Sequence, residues 1–255
     1  MYTDTHCHIP LIDGDEPAER IIARAREAQV RRLLTVGVDL ASSAEAVQIA
    51  SSHADVWAVV GIHPHNAIEA TEHVLARLEA VATHPRVVGV GETGLDHFRD
   101  HSPKVRQEDS FREHIRLAKD LDKTLVIHNR DAHEDVVAIL LDEQAPARTV
   151  FHCFSGGPDL VEVCTAHGWY MSFAGNITFK NAPALREAAK LAPTELLLTE
   201  TDSPYLSPHP HRGTTNEPAR VPYVAQQLAQ VHDLDPEKFA RITWDNATRA
   251  FRLPG

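Results

Sequence analysis

Eight short runs rich in Val, Ile and Leu recur along the chain, and the stretches between them carry apolar residues at helical spacing. That alternation constrains the fold more than any other feature. The runs predict strands over residues 2–8, 32–38, 56–62, 87–92, 124–128, 149–152, 169–173 and 195–200. Helices are predicted over 16–29, 41–53, 72–83, 104–122, 132–143, 158–167 and 181–191, with two more near 221–231 and 236–251. Asp15 before Pro17, Ser102 before Pro103 and Asp235 before Pro236 read as N-caps with proline entering the first turn. Strands as continuously apolar as Leu196-Leu197-Leu198 are buried on both faces, which indicates a parallel sheet. Eight such units in 255 residues predict one α/β domain, a (β/α)8 TIM barrel over residues 1–255. A doubly wound open sheet is the structural alternative. Residues 203–219, rich in Pro, His and Gly, read as a long loop after the last strand, of the kind that often carries function.

Composition narrows the functional classes. A hydrophobic fraction of 43% supports a sizeable core. No apolar run approaches the roughly 18 residues of a membrane span, and the N-terminal residues do not resemble a signal peptide. Three widely spaced cysteines, Cys7, Cys153 and Cys164, suit a reducing cytoplasm better than a disulfide framework. A formal net charge of −11 argues against broad adhesion to nucleic acid or an anionic membrane. It leaves room for a phosphate held locally by cations and a few arginines.

Six residues able to hold a metal stand at the carboxyl ends of predicted strands: His6, His8, Glu92, His128, His152 and Asp202. In a strand, residues i and i+2 share a face, so both imidazoles of His6-x-His8 can meet one ion. In a barrel, those strand ends gather on the face where active sites are built. A lone histidine at a strand end is more often a hydrogen-bonded structural residue; six suitable donors at ends of one polarity are harder to explain that way. Imidazole with carboxylate suits zinc, manganese, iron or magnesium. Six donors exceed what one open tetrahedral ion needs, whereas two ions would use them. On this reading Glu92 bridges, His6, His8 and Asp202 complete one site, and His128 with His152 complete the other.

Around these donors the chain reads Asp4-Thr5-His6-Cys7-His8, Gly61-Ile62-His63-Pro64-His65 and Gly91-Glu92-Thr93-Gly94-Leu95-Asp96. Further on come Val126-Ile127-His128-Asn129-Arg130-Asp131-Ala132, Phe151-His152-Cys153-Phe154-Ser155-Gly156 and Glu200-Thr201-Asp202-Ser203-Pro204-Tyr205-Leu206. In order and spacing this set resembles the TatD family of metal-dependent deoxyribonucleases, and Arg212-Gly213 and Asn216-Glu217-Pro218 extend the match. The resemblance implies a TIM barrel of the amidohydrolase type, a divalent-metal phosphodiesterase acting on DNA, and the same six ligands. Thr93, His97 and Asn129 depart from the family's pattern without removing a ligand; they bear on substrate preference.

The expected cofactor is two divalent ions, Mg, Mn or Zn. They acidify a water and polarise the phosphoryl group it attacks. Glu92 and Asp202 are the expected catalytic carboxylates. Asp202 is read as ligand and proton acceptor, with a purely coordinative role as the alternative. His63 and Arg130 are the expected substrate contacts. His63 is otherwise a structural loop histidine, and Arg130 otherwise an ion-pair partner of Asp131 or another nearby acid. Asp96 is read as a partner that fixes a ligand imidazole or as a turn residue. Glu217 is read as reaching the metals or ordering its loop, and Cys7 and Cys153 as packing residues. The expected substrate is DNA or a small phosphodiester, cut as by an exonuclease, by a monomeric cytoplasmic protein without an obligate partner. The competing activity is hydrolysis of small amides, lactones or esters on the same barrel. Glu92, standing where a carbamylated lysine would otherwise bridge, favours the nuclease-like subgroup.

Overall fold

The computed structural model describes residues 1–12, 16–99 and 101–254. Its strands are β1 (Tyr2–Cys7), β2 (Val30–Val36), β3 (Val56–Val60), β4 (Val87–Asp96), β5 (Thr124–Arg130), β6 (Thr149–Phe151), β7 (Tyr170–Phe173) and β8 (Leu197–Thr199). Its helices are α1 (Ala18–Glu27), α2 (Leu40–Ser52), α3 (Glu72–Ala82), α4 (Lys104–Asp120), α5 (His133–Asp142), α6 (Pro158–His167), α7 (Pro183–Leu191), α8 (Val221–Val231) and α9 (Pro236–Phe251). The strands lie in one sheet in the order β1 to β8, and the pairings seen are parallel. Contacts divide the chain into two compact units, Met1–Thr35 with Cys153–Gly255, and Val36–His152.

In the first unit, β1 runs beside β2 and β7 beside β8. The far ends of β1 and β8 are joined: Cys7 pairs in parallel with Ser203, His8 N donates to Ser203 O at 2.8 Å, and Asp202 N donates to His6 O at 2.9 Å. Leu33, Leu34, Met171, Phe173, Leu197 and Leu198 are fully buried. Each such side chain is worth about 1.5–3 kcal/mol of burial. Cys7 packs here as expected, its Sγ donating to Leu34 O at 3.3 Å. Asn246 on α9 donates to Thr194 O and Leu197 O, both at 2.7 Å, and so seats the helix on β8.

In the second unit, β3, β4, β5 and β6 are consecutive neighbours. Asp39 caps α2, accepting from Ser42 N while the Ser42 hydroxyl accepts from Asp39 N, a reciprocal capping box. Helix α4 packs on β4 with Phe111, Ile115 and Ala118 buried. The same face carries polar residues. Gln107 Oε1 accepts from Asp96 N at 2.8 Å, and His114 Nε2 accepts from Ile62 N at 3.0 Å. One helix thus holds the ends of two strands.

Several boundaries differ from the sequence-based expectation. Strand β4 continues to Asp96 rather than stopping at Glu92, because the ladder with β5 runs on through Thr93↔Ile127, Gly94↔His128 and Asp96↔Arg130. Tertiary pairing overrides the poor strand propensity of Glu-Thr-Gly. Residues 194–196 form a 3-10 turn, so β8 is shorter than predicted. Ser102 does not cap α4; its hydroxyl donates to His65 O at 2.7 Å, and Pro103 holds the cap position. Asp235 does cap α9, accepting from Glu237 N and Lys238 N. Asp15 lies outside the described residues, and Pro17 stands at the cap of α1 rather than in its first turn.

Candidate metal centre

The ladder is interrupted at ligand positions in both units. Between Asp4 and Cys7, and again between Val90 and Thr93, one strand advances three residues while its neighbour advances two. Such bulges bend a strand and re-aim its side chains, and His6 and Glu92 lie inside them.

In the first unit, His6 Nε2 stands 3.3 Å from His8 Nε2, and His8 Nε2 stands 3.6 Å from Asp202 Oδ1. Both imidazoles are buried. The arrangement is fixed from beneath by Asp4, which is fully buried. Its carboxylate accepts from Thr201 N at 2.9 Å, from the Thr201 hydroxyl at 2.6 Å and from His6 N at 3.3 Å. One acid therefore ties the strand carrying His6 to the segment carrying Asp202. Burial pushes the Asp4 carboxyl up to about 8, against the lowering effect of its hydrogen bonds from Thr201 and His6. Asp202 itself sits at φ 52°, a left-handed conformation that Asp tolerates better than most residues. Glu200, fully buried, accepts from Cys153 N at 2.7 Å. Cys153 is half-buried with φ 43°, so it serves a turn after β6 more than a packed core.

In the second unit, Glu92 is the hub. Its Oε2 stands 2.7 Å from His152 Nε2 and 3.7 Å from His128 Nδ1. Donor atoms of His63, Glu92 and His128 all lie within 4.8 Å of one another. His128 Nε2 stands 3.1 Å from Asp96 Oδ2, and His65 Nε2 stands 2.8 Å from the same oxygen. The carboxylate can only accept, so His128 carries a proton on Nε2, and Nδ1 is the atom that faces Glu92. Burial opposes a charge on His128, but hydrogen bonds to Asp96 and Glu92 outweigh it and raise its pKa. Asp96 is buried; desolvation would raise its pKa, but hydrogen bonds from His128, Arg99 N and His65 hold it well below the usual carboxylate range. Asp96 meets both of its sequence readings: Oδ2 holds the His128 imidazole, and Oδ1 accepts from Phe98 N and Arg99 N in the turn after β4.

His63 shows the opposite tautomer. Its Nδ1 accepts from His65 N at 3.0 Å, so a neutral ring carries its proton on Nε2, which points to His128 Nδ1 at 3.3 Å. Burial pushes its pKa well below the ordinary imidazole value, against the charge of Glu92, so the ring stays neutral. It presents a donor, not a lone pair. Arg130, two residues past His128, is exposed at the end of β5, its guanidinium 4.0 Å over the Phe98 ring. Glu217 lies away from these donors: its carboxylate accepts from Arg24 Nε at 2.5 Å, while the other nitrogens of Arg24 grip Glu16. It orders its loop against α1.

The donor set fits divalent cations. Ligand atoms around a tetrahedral ion with bonds of about 2.1 Å lie about 3.4 Å apart. The spacings of His6 to His8 and of His8 to Asp202 match that edge. Sequence reasoning did not assign roles to Asp4, Glu200, Thr201, Gln107 or His114. The last two carried a signal, polar residues at core positions of an amphipathic helix.

The description of the family model that matches residues 3–252 is "TatD related DNase". A metal-dependent hydrolase of Bacillus subtilis, YabD, is 42% identical over 99% of this chain and 100% of its own length. The 3'-5' ssDNA/RNA exonuclease TatD of Edwardsiella piscicida is 36% identical over 94% of each chain. The crystal structure of YJJV, a TatD homologue from Escherichia coli, superposes with a TM-score of 0.94 at 27% identity, covering 99% of this chain and 98% of the other. Together with the strand order, this likeness makes the fold a (β/α)8 barrel. The chain belongs to the TatD-related DNase family and is a metal-dependent hydrolase.

Proposed function

We propose that the protein is a divalent-cation-dependent phosphodiesterase that removes nucleotides from an end of DNA. The observation that carries this reading is a full set of imidazole and carboxylate donors, clustered within each unit, on a chain matched from residue 3 to residue 252 by a DNase family. His6, His8 and Asp202 would hold one ion, and Glu92, His128 and His152 a second. Ions bound there, Mg, Mn or Zn, supply Lewis acidity that polarises a phosphoryl oxygen and acidifies water.

The protein's own groups supply the rest. Asp202, an acid on the rim of the first cluster, accepts the proton of the attacking water. His63, neutral and protonated on Nε2, donates to a phosphoryl oxygen. Arg130 supplies an exposed positive charge for the same phosphate. Asp96 keeps His128 in the one tautomer able to ligate through Nδ1. Four formal positive charges on two ions outweigh the two carboxylates, so a net charge of −11 does not repel the substrate locally. Cys7, Cys153 and Cys164 form no disulfide, which fits a reducing cytoplasm, and the protein would work there as a monomer.

The test is a substrate panel. Metal-loaded protein should hydrolyse bis-p-nitrophenyl phosphate and leave carboxylic esters, lactones and amides of similar size untouched. Preferential cleavage of an amide, lactone or ester would replace this reading with the competing hydrolase activity.

A further inference from the structure

Among the described residues, four arginines lie over aromatic rings at 4.7 Å or less: Arg32 on Trp244, Arg86 on Trp57, Arg212 on Phe179 and Arg130 on Phe98. Three of them are structural. Arg32 donates to Thr248 and to backbone carbonyls. Arg86 donates to the carbonyls of Ala50, His53, Ala54 and Val56, and Arg212 to Ser207 O. Arg130 differs. Among the described residues no acceptor engages its guanidinium, and the ring beneath it is 59% exposed.

The position of this pair is equally specific. Arg130 follows His128 by two residues on β5, and Phe98 follows Asp96 by two residues beyond β4. Asp96 joins them to the donors. Its Oδ2 meets His128 and His65, while its Oδ1 accepts from Phe98 N at 3.0 Å and Arg99 N at 2.9 Å. The carboxylate that orients a metal-binding imidazole therefore also fixes the backbone presenting the exposed ring. A large apolar ring left 59% exposed buries little of its surface in the fold. A guanidinium laid over a ring keeps its in-plane N–H donors free.

We propose that Phe98 and Arg130 form a nucleotide subsite, in which an unpaired base next to the scissile linkage stacks on the Phe98–Arg130 pair and the guanidinium edge binds its phosphate. This rests on the phosphodiesterase reading above, and the pair would engage a base only at an unpaired end, because a base still in a duplex has no free face to offer. Stacking of a base on an aromatic side chain is sequence-tolerant, since every base has a π-face.

The experiment compares two end-labelled single-stranded oligodeoxynucleotides, one intact and one with an abasic residue beside the scissile linkage, cut by wild type, Phe98→Ala, Phe98→Trp and Arg130→Gln. Wild type should prefer the intact strand by about 5-fold to 150-fold in kcat/KM, the range set by one stacked base. Phe98→Ala should bring that ratio close to one, mainly through KM, and Phe98→Trp should restore it. Arg130→Gln should raise KM for both strands. Thermal midpoints within a few degrees of wild type check that these exposed-site variants are folded. A wild type that cuts both strands equally, or a Phe98→Ala variant that keeps the preference, overturns the subsite and leaves the phosphodiesterase reading standing. A wild type that cuts neither strand overturns both.

Discussion

At the scale of single residues, the proposed function gives two carboxylates separable jobs. Asp202 is partly exposed beside His8, whereas Asp96 is buried behind His128. Asp202→Asn keeps an oxygen donor but removes the proton acceptor. It should abolish turnover while the protein still retains at least one ion per chain by elemental analysis. Near-normal hydrolysis by that variant would remove Asp202 from its role as base. Asp96→Ala should leave the donor atoms in place and free the His128 ring to rotate or change tautomer. Metal affinity in a chelator-competition titration should then fall about 10-fold to 100-fold, and an unchanged affinity would return Asp96 to a turn residue. Gly94 sits at φ 135°, and a Cβ there would meet His128 O at 2.1 Å. Gly94→Ala should cost about 1–3 kcal/mol in denaturant unfolding, with the register of β4 on β5 disturbed. The candidate donors could be picked out in the sequence because six suitable residues stand at strand ends of one polarity, more than isolated structural histidines explain. Their supports, Asp4 and Asp96, also sit in the quoted motifs. Which atoms they hold depends on partners such as Thr201 and His65, whose proximity only the fold creates.

At the scale of elements, α4 does more than cover the sheet. His114 is fully buried, with Nδ1 at 2.7 Å from Ser110 O and Nε2 at 3.0 Å from Ile62 N. It therefore accepts at Nε2 as a neutral ring, and burial lowers its pKa from 6.5 to about 4. The unfolded chain takes up a proton near 6.5 while the folded chain withholds it until about 4. The resulting stabilisation is complete above the first value and lost as pH falls towards the second. Chemical denaturation of wild type should weaken across that window by roughly 3 kcal/mol more than that of His114→Gln. Equal pH dependence of the two proteins would contradict the assignment. The order and number of strands and helices followed from alternation alone, because apolar periodicity reports burial directly. Strand ends did not follow: the continuation of β4 through Gly94 to Asp96 is imposed by β5, and no local preference of those residues announces it.

At the scale of the whole molecule, the proposed chemistry rests on donors at or just beyond strand ends, on a chain of net charge −11. None of the described helices is long and apolar enough to cross a membrane. Because the donors come from strands far apart in sequence, bound cations should stabilise the folded chain. At cation concentrations about 100 times the dissociation constant, one ion adds about 2.7 kcal/mol. For a protein of this size, chelation should lower the thermal midpoint by about 5–10 °C, measurable by differential scanning calorimetry. A midpoint indifferent to chelator would argue that the donors hold no ion. The most direct measurement is cleavage of an end-labelled single-stranded oligodeoxynucleotide by protein stripped of metal and then reconstituted with Mg²⁺, Mn²⁺ or Zn²⁺. Stripped protein should be inert, and at least one of the three ions should restore stepwise shortening from an end. Cleavage that persists in chelator, or no cleavage with any of the ions, would contradict it.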